Sequence, residues 1–219
     1  MRNKLRSLCC GTLLMTAYAC TTVYTKPDAP INEVPFTQVH LNDSFWTPRI
    51  ETNRIVSIPS AFKECEKNGR FDNFAIAGGL MKGEHRGDFS FDDTDPYKII
   101  EGASYSLAVK YDKKLDAYLD SVIHLIASAQ EPDGYLTTCV TNKCYRLSGW
   151  WGRQRWEKIN SHELYNCGHL YEAAVAHYQA TGKRTLLDVA IKNADLVCKV
   201  FGPRSEEHTS ELQSLIRIS

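Results

Sequence analysis

The sequence lacks a surplus of charge of either sign. Basic and acidic residues number 26 each, and without the first 19 and last 16 residues the counts are 21 basic and 23 acidic. No basic excess is available to neutralise phosphates, which excludes nucleic acid as an expected partner. Long apolar runs are also missing, since the stretch 8–18 is too short to span a bilayer. The 43% apolar and 24% charged fractions nevertheless exclude a disordered chain.

The amino end, residues 1–19, is typical of a signal peptide. Three basic residues, Arg2, Lys4 and Arg6, precede the short apolar stretch, which ends in Ala-Tyr-Ala directly before Cys20. A cysteine in that place is the lipidated residue of bacterial lipoproteins. We therefore expect an exported bacterial protein, either periplasmic or anchored to a membrane by a lipid on Cys20, with residues 20–34 as a tether.

The carboxyl end, residues 204–219, resembles the translation of a sequencing-library adapter. After Pro203 the chain reads RSEEHTSELQS and then LIRIS. A polar helical tail is the alternative. The adapter interpretation predicts that the natural reading frame breaks off near Pro203, that residues 35–203 are the amino-terminal part of a longer domain, and that the tail packs poorly.

Helical periodicity dominates residues 47–201, and strand signals are confined to residues 34–46. Apolar spacing predicts four well-defined helices: from Asp95-Pro96 to Tyr111, from Leu115 to Ile126, from Ser161 to Gly182, and from Leu186 to Phe201. Asp95 and Ser161 are the expected N-caps, and Gly182 is expected just after a helix end. Residues 49–65 are also helical in pattern, with Pro59 as an expected interruption.

These helices repeat as hairpins. The segment that begins at Glu101 resembles the one that begins at Glu172, with an offset of 71 residues at the first match and 68 at the second. A hairpin of this kind buries its apolar stripes only by stacking on neighbours. The pattern predicts an all-α fold, either an open solenoid of hairpins or a closed α/α toroid.

Two loops between the helices have distinctive compositions. The segment 130–136 contains a Pro-Asp-Gly turn, which fits a purely structural role. The segment 139–160 combines aromatic and basic side chains: Tyr145, Trp150, Trp151 and Trp156 with Lys143, Arg146, Arg153, Arg155 and Lys158. Aromatic faces beside hydrogen-bonding cations suit sugar rings. An insertion packed on its own tryptophans fits this composition equally well.

The string HELYNCGHL, residues 162–170, is the sharpest candidate site. We expect His162 on the first turn of a helix, where the positive helix end favours a neutral imidazole that can bond a hydroxyl. His169, two turns further on the same face, fits a cavity residue or a core histidine. The string lacks the second histidine of an HExxH zinc pair. Asp92 and Asp93 fit cleft acids or, more simply, a solvated turn.

Five cysteines lie outside the leader and Cys20: Cys65, Cys139, Cys144, Cys167 and Cys198. Cys139 and Cys144 have four residues between them, at the edge of zinc-pair spacing, with no second pair behind them. A disulfide between the two is permitted in an exported chain. We therefore expect no metal site in this chain.

Three segments together resemble glycoside hydrolase family 127: FDDTDPYKIIEGASY, SAQEPDGYLTT and SHELYNCGHLYEAAVAHYQATGKRTLLDVA. The resemblance runs from about Val34 to Pro203. It implies that the chain is the first part of a six-hairpin α/α toroid catalytic domain. It also implies release of terminal β-L-arabinofuranose from plant oligosaccharides or polysaccharides.

The family resemblance implies zinc as the cofactor of the full-length enzyme, holding a cysteine thiolate nucleophile, with a glutamate as acid/base. The Glu-x-Cys and Cys-Cys elements that supply these groups do not occur here at the expected places, so no catalytic residue and no metal ligand is assigned. His162 is assigned to sugar contact, with Tyr135 and Asp93 in the same pocket. The chain by itself is expected to be inactive.

Two other functions fit parts of the pattern. An unsaturated glucuronyl hydrolase or a polysaccharide lyase shares the helices and a DGYL-like loop, but it would need its own catalytic groups in this half. A non-catalytic helical-repeat binding protein would have a shorter and stricter period than about 70 residues.

Overall fold

The computed structural model describes residues 34–87, 89–144 and 152–202, and within them the chain is helical, with no β-strand. The α-helices are α1 (Trp46–Thr52), α2 (Ile58–Lys67), α3 (Arg70–Ala77), α4 (Thr94–Val109), α5 (Lys113–Ala129), α6 (Thr138–Thr141), α7 (Glu163–Thr181) and α8 (Thr185–Phe201). Short 3-10 helices span Phe36–Gln38 and Ile159–Ser161. The expectation of an all-α fold is confirmed.

Several sequence predictions lie outside the described residues. These are the signal peptide and most of the tether, the adapter-like tail, and the sugar-facing roles of Tyr145, Arg146, Trp150 and Trp151. Among the described residues, no helix combines the length and apolar character needed to cross a membrane.

Local hydrogen bonds and backbone angles explain where α5 and α7 begin or end, whereas the predicted N-cap of α4 is corrected. Asp112 caps α5, because its carboxylate accepts bonds from the backbone N–H groups of Lys114 (2.9 Å) and Leu115 (3.2 Å). Gly182 ends α7 at φ 73°, as predicted. Asp95, however, is not the N-cap of α4, since the helix already begins at Thr94 and the Asp95 carboxylate pairs with a guanidinium instead.

The interruption predicted at Pro59 takes the form of a π-helical segment just before it, and the chain does not leave the helical path. Residues Asn53–Ser57 form a π-helical segment that joins α1 to α2, and Pro59 lies in the first turn of α2. Proline is tolerated in a first helical turn, and the wider π segment before it removes the clash with the preceding turn. The chain from Trp46 to Lys67 is therefore one helical path.

The helices pack in two layers. In one layer α4 lies between α2 and α7, and in the other α5 lies between α3 and α8. The repeated hairpins α4–α5 and α7–α8 are thus neighbours, as the sequence repeat predicts. The core between them is formed by buried apolar residues: Phe62, Phe74, Tyr97, Ile100, Leu107, Leu119, Ile123, Ile126, Leu170 and Leu186. Because the hairpins stack in this way, α4 and α7 both begin at the same end of the hairpins.

Candidate functional site

Three loops meet at the end of the hairpins where α4 and α7 begin and α5 ends. The Ser90 hydroxyl donates a 2.6 Å bond to the backbone carbonyl of Ser161, and the Asn166 side-chain amide donates a 3.0 Å bond to the carbonyl of Ser90. All three residues are buried. The loop before α4 is therefore locked to the loop before α7, and the predicted site residues lie on these locked loops.

Glu163 is the central residue of this end, and the sequence reasoning noticed it only as an acid in a first helical turn. Its side chain is 2% exposed and accepts bonds from the hydroxyl of Tyr135 (2.5 Å), the hydroxyl of Ser161 (2.6 Å) and the backbone N–H of Trp156 (2.9 Å). A buried carboxylate is tolerated when hydrogen bonds satisfy it in this way. One side chain thus ties together three segments of the chain.

Tyr135 lies in this cluster as a fully buried ring. Burial, with the carboxylate of Glu163 beside it, raises the pKa of the Tyr135 phenol, so the hydroxyl remains a donor. The Trp156 ring packs edge-on against it, with centroids 5.4 Å apart. Tyr135 therefore positions Glu163, and a direct contact between Tyr135 and a sugar stays a prediction.

The Pro-Asp-Gly turn before Tyr135 is held by Arg155. The Arg155 guanidinium pairs with Glu131 and with Asp133 (2.5 Å) and lies 4.2 Å from the centre of the Tyr135 ring. Gly134 has φ 104°, and a Cβ there would collide with the carbonyl oxygen of Lys192 on α8. The structure favours the structural interpretation of this turn.

Asp93 and Asp92 are both buried, so the solvated-turn interpretation is wrong. Asp93 accepts bonds from the backbone N–H (2.7 Å) and hydroxyl (2.5 Å) of Thr138, and it is 2% exposed. Burial raises the pKa of Asp93 to about 6, against the effect of the Thr138 bonds, which favour the carboxylate. Asp92 pairs with Arg70 at 3.0 Å. A sugar contact by Asp93 stays a prediction.

His162 lies at the start of α7, directly before its first helical residue, whereas the sequence predicts His162 inside the first turn. It holds the N-cap position with φ 60°, and its carbonyl accepts the first helical bond from the Asn166 N–H. Ser161 is the predicted N-cap, but its hydroxyl donates a hydrogen bond to the carboxylate of Glu163 instead. A left-handed conformation at a residue other than glycine costs about 1–2 kcal/mol. The anchored neighbours Ser161 and Glu163 impose this conformation, and it aims the imidazole toward Phe91 and Tyr165.

Four rings beside His162 form with it a surface that the sequence reasoning missed, here called the aromatic platform: Phe89, Phe91, His162, Tyr165 and His169. Successive centroids are 4.9 Å (Phe89–Phe91), 4.9 Å (Phe91–His162), 5.8 Å (His162–Tyr165) and 4.6 Å (Tyr165–His169) apart. Phe89 and Tyr165 are 48% and 44% exposed. The alternating FSF of the loop is the signal that could have revealed it.

Trp156, the one described tryptophan of the predicted sugar-binding loop, does not join this platform. Its ring packs against Tyr135 and, at 5.1 Å, against Phe201 at the end of α8. Its backbone N–H is bound to Glu163. For Trp156 the packed-insertion alternative is the one that the structure supports.

A separate cleft of the chain does not contain these residues. It has a volume of about 690 Å³ and lies at the opposite end of α4. Its lining includes the apolar or aromatic residues Phe36, Val39, Leu41, Ile50, Tyr105 and Val109 and the polar or charged residues His40, Thr47, Glu51, Arg54, Ser106 and Lys110. Its lining is mainly apolar and holds no cluster of buried acids or histidines. The polar chemistry is therefore at the end with Asp93 and His162, and not in this cleft.

The described cysteines do not fit the zinc-held thiolate that the family resemblance implies. Burial raises the pKa of the Cys65 and Cys167 thiols to about 12, so both remain protonated at neutral pH. Cys139 and Cys144 form a disulfide, as the sequence permitted, and Cys198 is exposed on α8. None of the five follows a glutamate at Glu-x-Cys spacing.

The fold defines an all-α protein of stacked helical hairpins, with a polar cluster at one end of the stack. Residues 38–214 match the β-L-arabinofuranosidase GH127 catalytic domain. The chain belongs to glycoside hydrolase family 127, and its helices form part of an α/α toroid like that of the solved family members.

The relatives that match are longer than this chain. A non-reducing end β-L-arabinofuranosidase of Bifidobacterium longum subsp. longum is 44% identical over 133 residues, which cover 60% of this chain and 20% of that protein. A solved GH127 β-arabinofuranosidase is 53% identical with a TM-score of 0.73, over 80% of this chain and 28% of the other. A GH127 β-L-arabinofuranosidase from Geobacillus stearothermophilus T6 is 40% identical with a TM-score of 0.69, over 75% and 26%. The chain thus spans about a fifth to a quarter of their length.

Proposed function

We propose that this chain supplies part of the catalytic domain of an exported bacterial β-L-arabinofuranosidase that acts on plant oligosaccharides or polysaccharides. The observation that carries the proposal is family membership, together with the geometry of one end of the hairpins, where His162 lies within the aromatic platform. The relatives named above are β-arabinofuranosidases. No observation favours the lyase or the helical-repeat binder.

In this proposal His162 bonds a sugar hydroxyl and the aromatic platform receives the apolar face of the ring. An imidazole offers one donor and one acceptor when neutral, which matches a hydroxyl. Exposed Phe89 and Tyr165 flank it, and aromatic faces pack against the C–H groups of sugars. Glu163 and Asp93 hold the two loops in place from the buried side.

The reacting groups are not among the described residues. The nucleophile and the acid/base of a retaining hydrolase must lie about 5 Å apart across the sugar. The buried thiols of Cys65 and Cys167 remain protonated, and the buried carboxylates at this end, Asp93 and Glu163, are held by hydrogen bonds within the chain. We therefore propose that the chain alone binds one side of the sugar and does not cleave it.

A chimera tests the proposal. Residues 34–202 replace the corresponding segment of the solved GH127 β-arabinofuranosidase that is 53% identical, and hydrolysis of 4-nitrophenyl β-L-arabinofuranoside is measured. We expect the chimera to be active and the 219-residue chain to be inactive. In the chimera His162→Ala should lower kcat/KM about tenfold or more, the cost of about one hydrogen bond.

His124→Ala is the matched control, because His124 is exposed on α5. Its kcat/KM should equal that of the unchanged chimera. A folded chimera without activity, or equal activity of the His162 and His124 variants, would refute the proposed role of this end of the hairpins.

The proposal of export and of a lipid on Cys20 rests on the sequence alone. Expression of the whole chain in a bacterium with a labelled fatty acid separates the possibilities. Label in the wild type that is lost in Cys20→Ser supports the lipid anchor, whereas an unlabelled periplasmic chain supports export without it. A chain that stays in the cytoplasm with its first 19 residues intact refutes both.

A further inference from the structure

The Cys139–Cys144 disulfide lies beside a histidine from a distant part of the chain. The disulfide closes the short loop after α6, with its Cα atoms 5.0 Å apart and both residues buried. The loop that follows α3 brings His85 to the same place, where a ring nitrogen and the two sulfurs all lie within 4.8 Å of one another. Two loops therefore converge on three soft ligand atoms.

The surroundings of His85 hold the ring in this place. The side-chain nitrogens of Asn73 and Asn142 lie 3.4 Å from the two ring nitrogens. Asn142 also donates a 2.8 Å bond to the backbone carbonyl of Asn73, and Asn73 exchanges two 2.8 Å bonds with the backbone of Arg86. These bonds join the loop after α3 to the loop after α6, so the approach of His85 to the cysteines is built by both segments.

Two thiolates and one imidazole are a ligand set for Zn²⁺. Zinc–sulfur bonds of about 2.3 Å and zinc–nitrogen bonds of about 2.0 Å put neighbouring ligands of a tetrahedral site about 3.3–3.8 Å apart. The His85 ring nitrogen and the sulfurs of Cys139 and Cys144 lie within 4.8 Å of one another, so small side-chain movements bring them to the spacing of zinc ligands. Sulfurs joined in a disulfide are not thiolates, so this ligand set exists only after reduction.

We propose that His85, Cys139 and Cys144 form a zinc site that opens when the disulfide is reduced, with water as the fourth ligand. A dithiol reductant supplies two electrons and two protons, the S–S bond breaks to give two thiols, and the reductant ends as its own disulfide. Zn²⁺ then binds both sulfurs and displaces the two thiol protons to solvent. The site is separate from the zinc-held nucleophile implied by the family.

The proposed zinc site touches the candidate functional end through one residue. Thr138 directly precedes Cys139, and its N–H and hydroxyl hold the carboxylate of Asp93. The disulfide or the zinc ion would each fix the loop that follows Thr138. The proposed zinc site would therefore also stabilise the loop before α4, through Thr138 and Asp93. The zinc proposal does not depend on the proposed hydrolase activity.

The experiment uses the whole 219-residue chain and Zn²⁺ alone as the probe. One sample is kept oxidised, and the other is reduced with a phosphine, which does not compete for zinc, and handled without oxygen. We expect the reduced chain to bind one equivalent of Zn²⁺ in competition with a chromophoric chelator, and the oxidised chain to bind none. Co²⁺ in the reduced chain should give the absorption of tetrahedral thiolate coordination.

Variants identify the ligands. In the reduced chain Cys139→Ser should abolish the zinc equivalent, and His85→Ala should weaken its binding by about tenfold or more. Cys198→Ser, at an exposed cysteine on α8, and His124→Ala, at an exposed histidine on α5, are matched controls and should bind zinc like the wild type.

A measurement on the wild type guards against variants that do not fold. Zinc should slow the alkylation of Cys139 and Cys144 in the reduced chain, read peptide by peptide by mass spectrometry, and leave Cys198 unaffected. Equal zinc binding before and after reduction, no binding after reduction, or zinc binding without protection of these two cysteines would each overturn the proposal.

Discussion

Asp93→Asn gives the sharpest test of the buried end of the hairpins. The Asp93 carboxylate is 2% exposed and is bound by the N–H and hydroxyl of Thr138. Asparagine has the same shape, its oxygen accepts the N–H bond, and its amide donates to the Thr138 oxygen once that hydroxyl rotates. The variant therefore removes the titratable group with little change in packing.

The sign of the effect follows from the direction of the pKa shift. Burial raises the pKa of Asp93 from 3.8 to about 6 in the folded chain. Between these values the folded chain holds the Asp93 proton more tightly than the unfolded chain does. The contribution of Asp93 to the free energy of unfolding is therefore fully present below its unfolded pKa and is lost as the pH rises through about 6. About two pKa units at about 1.4 kcal/mol each give a loss of about 3 kcal/mol.

In Asp93→Asn no titratable group remains at this position, so the variant does not lose this part of its free energy of unfolding as the pH rises. Its free energy of unfolding relative to the wild type should therefore rise by about 3 kcal/mol between about pH 3 and pH 7. Urea unfolding of both chains at each pH, followed by tryptophan fluorescence and far-ultraviolet circular dichroism, measures the difference, in which the titration of all other groups cancels.

Asp188→Asn, at an exposed carboxyl on α8 that pairs with Arg184, is the control and should change the unfolding free energy by less than about 1 kcal/mol at any pH. A flat difference curve for Asp93→Asn would refute the argument. A difference that falls with rising pH would show that the Thr138 bonds outweigh burial.

Two further substitutions test the contacts of the loop that follows α5, one at Tyr135 and one at Gly134. Tyr135→Phe removes a hydrogen bond to a buried carboxylate and should lower the free energy of unfolding by about 2 kcal/mol, whereas Tyr178→Phe, at a 40% exposed ring, should leave it unchanged in the same urea titration. Equal values for the two tyrosine variants would contradict the role assigned to this bond. Gly134→Ala should lower the thermal midpoint more than Gly79→Ala, because both positions have positive φ and only the first would also collide with a neighbouring backbone. Equal midpoints would show that the turn adjusts to a side chain.

The helices, their repeat and the family could all be predicted from the amino-acid pattern alone. Apolar residues at helical spacing predict α5, α7 and α8 to within a few residues, because a helix that buries one face needs that spacing locally. The repeat of Glu101 and Glu172 predicts that α4 and α7 are equivalent, and they pack side by side. The motifs around Asp93, Tyr135 and His162 also led to the family that the comparisons show.

The construction of the candidate site depends on contacts between distant segments and could not be predicted from the local pattern. In the sequence, Glu163 is indistinguishable from an ordinary acid in a first helical turn. Its central position depends on Tyr135 and Trp156, which donate hydrogen bonds to it from other loops. His162 adopts its left-handed conformation because its anchored neighbours impose it, which outweighs the local preference of the residue. Asp93 is buried because Thr138 covers and binds it. Helical periodicity is a property of neighbours along the chain, whereas these contacts join segments that meet only when the hairpins stack.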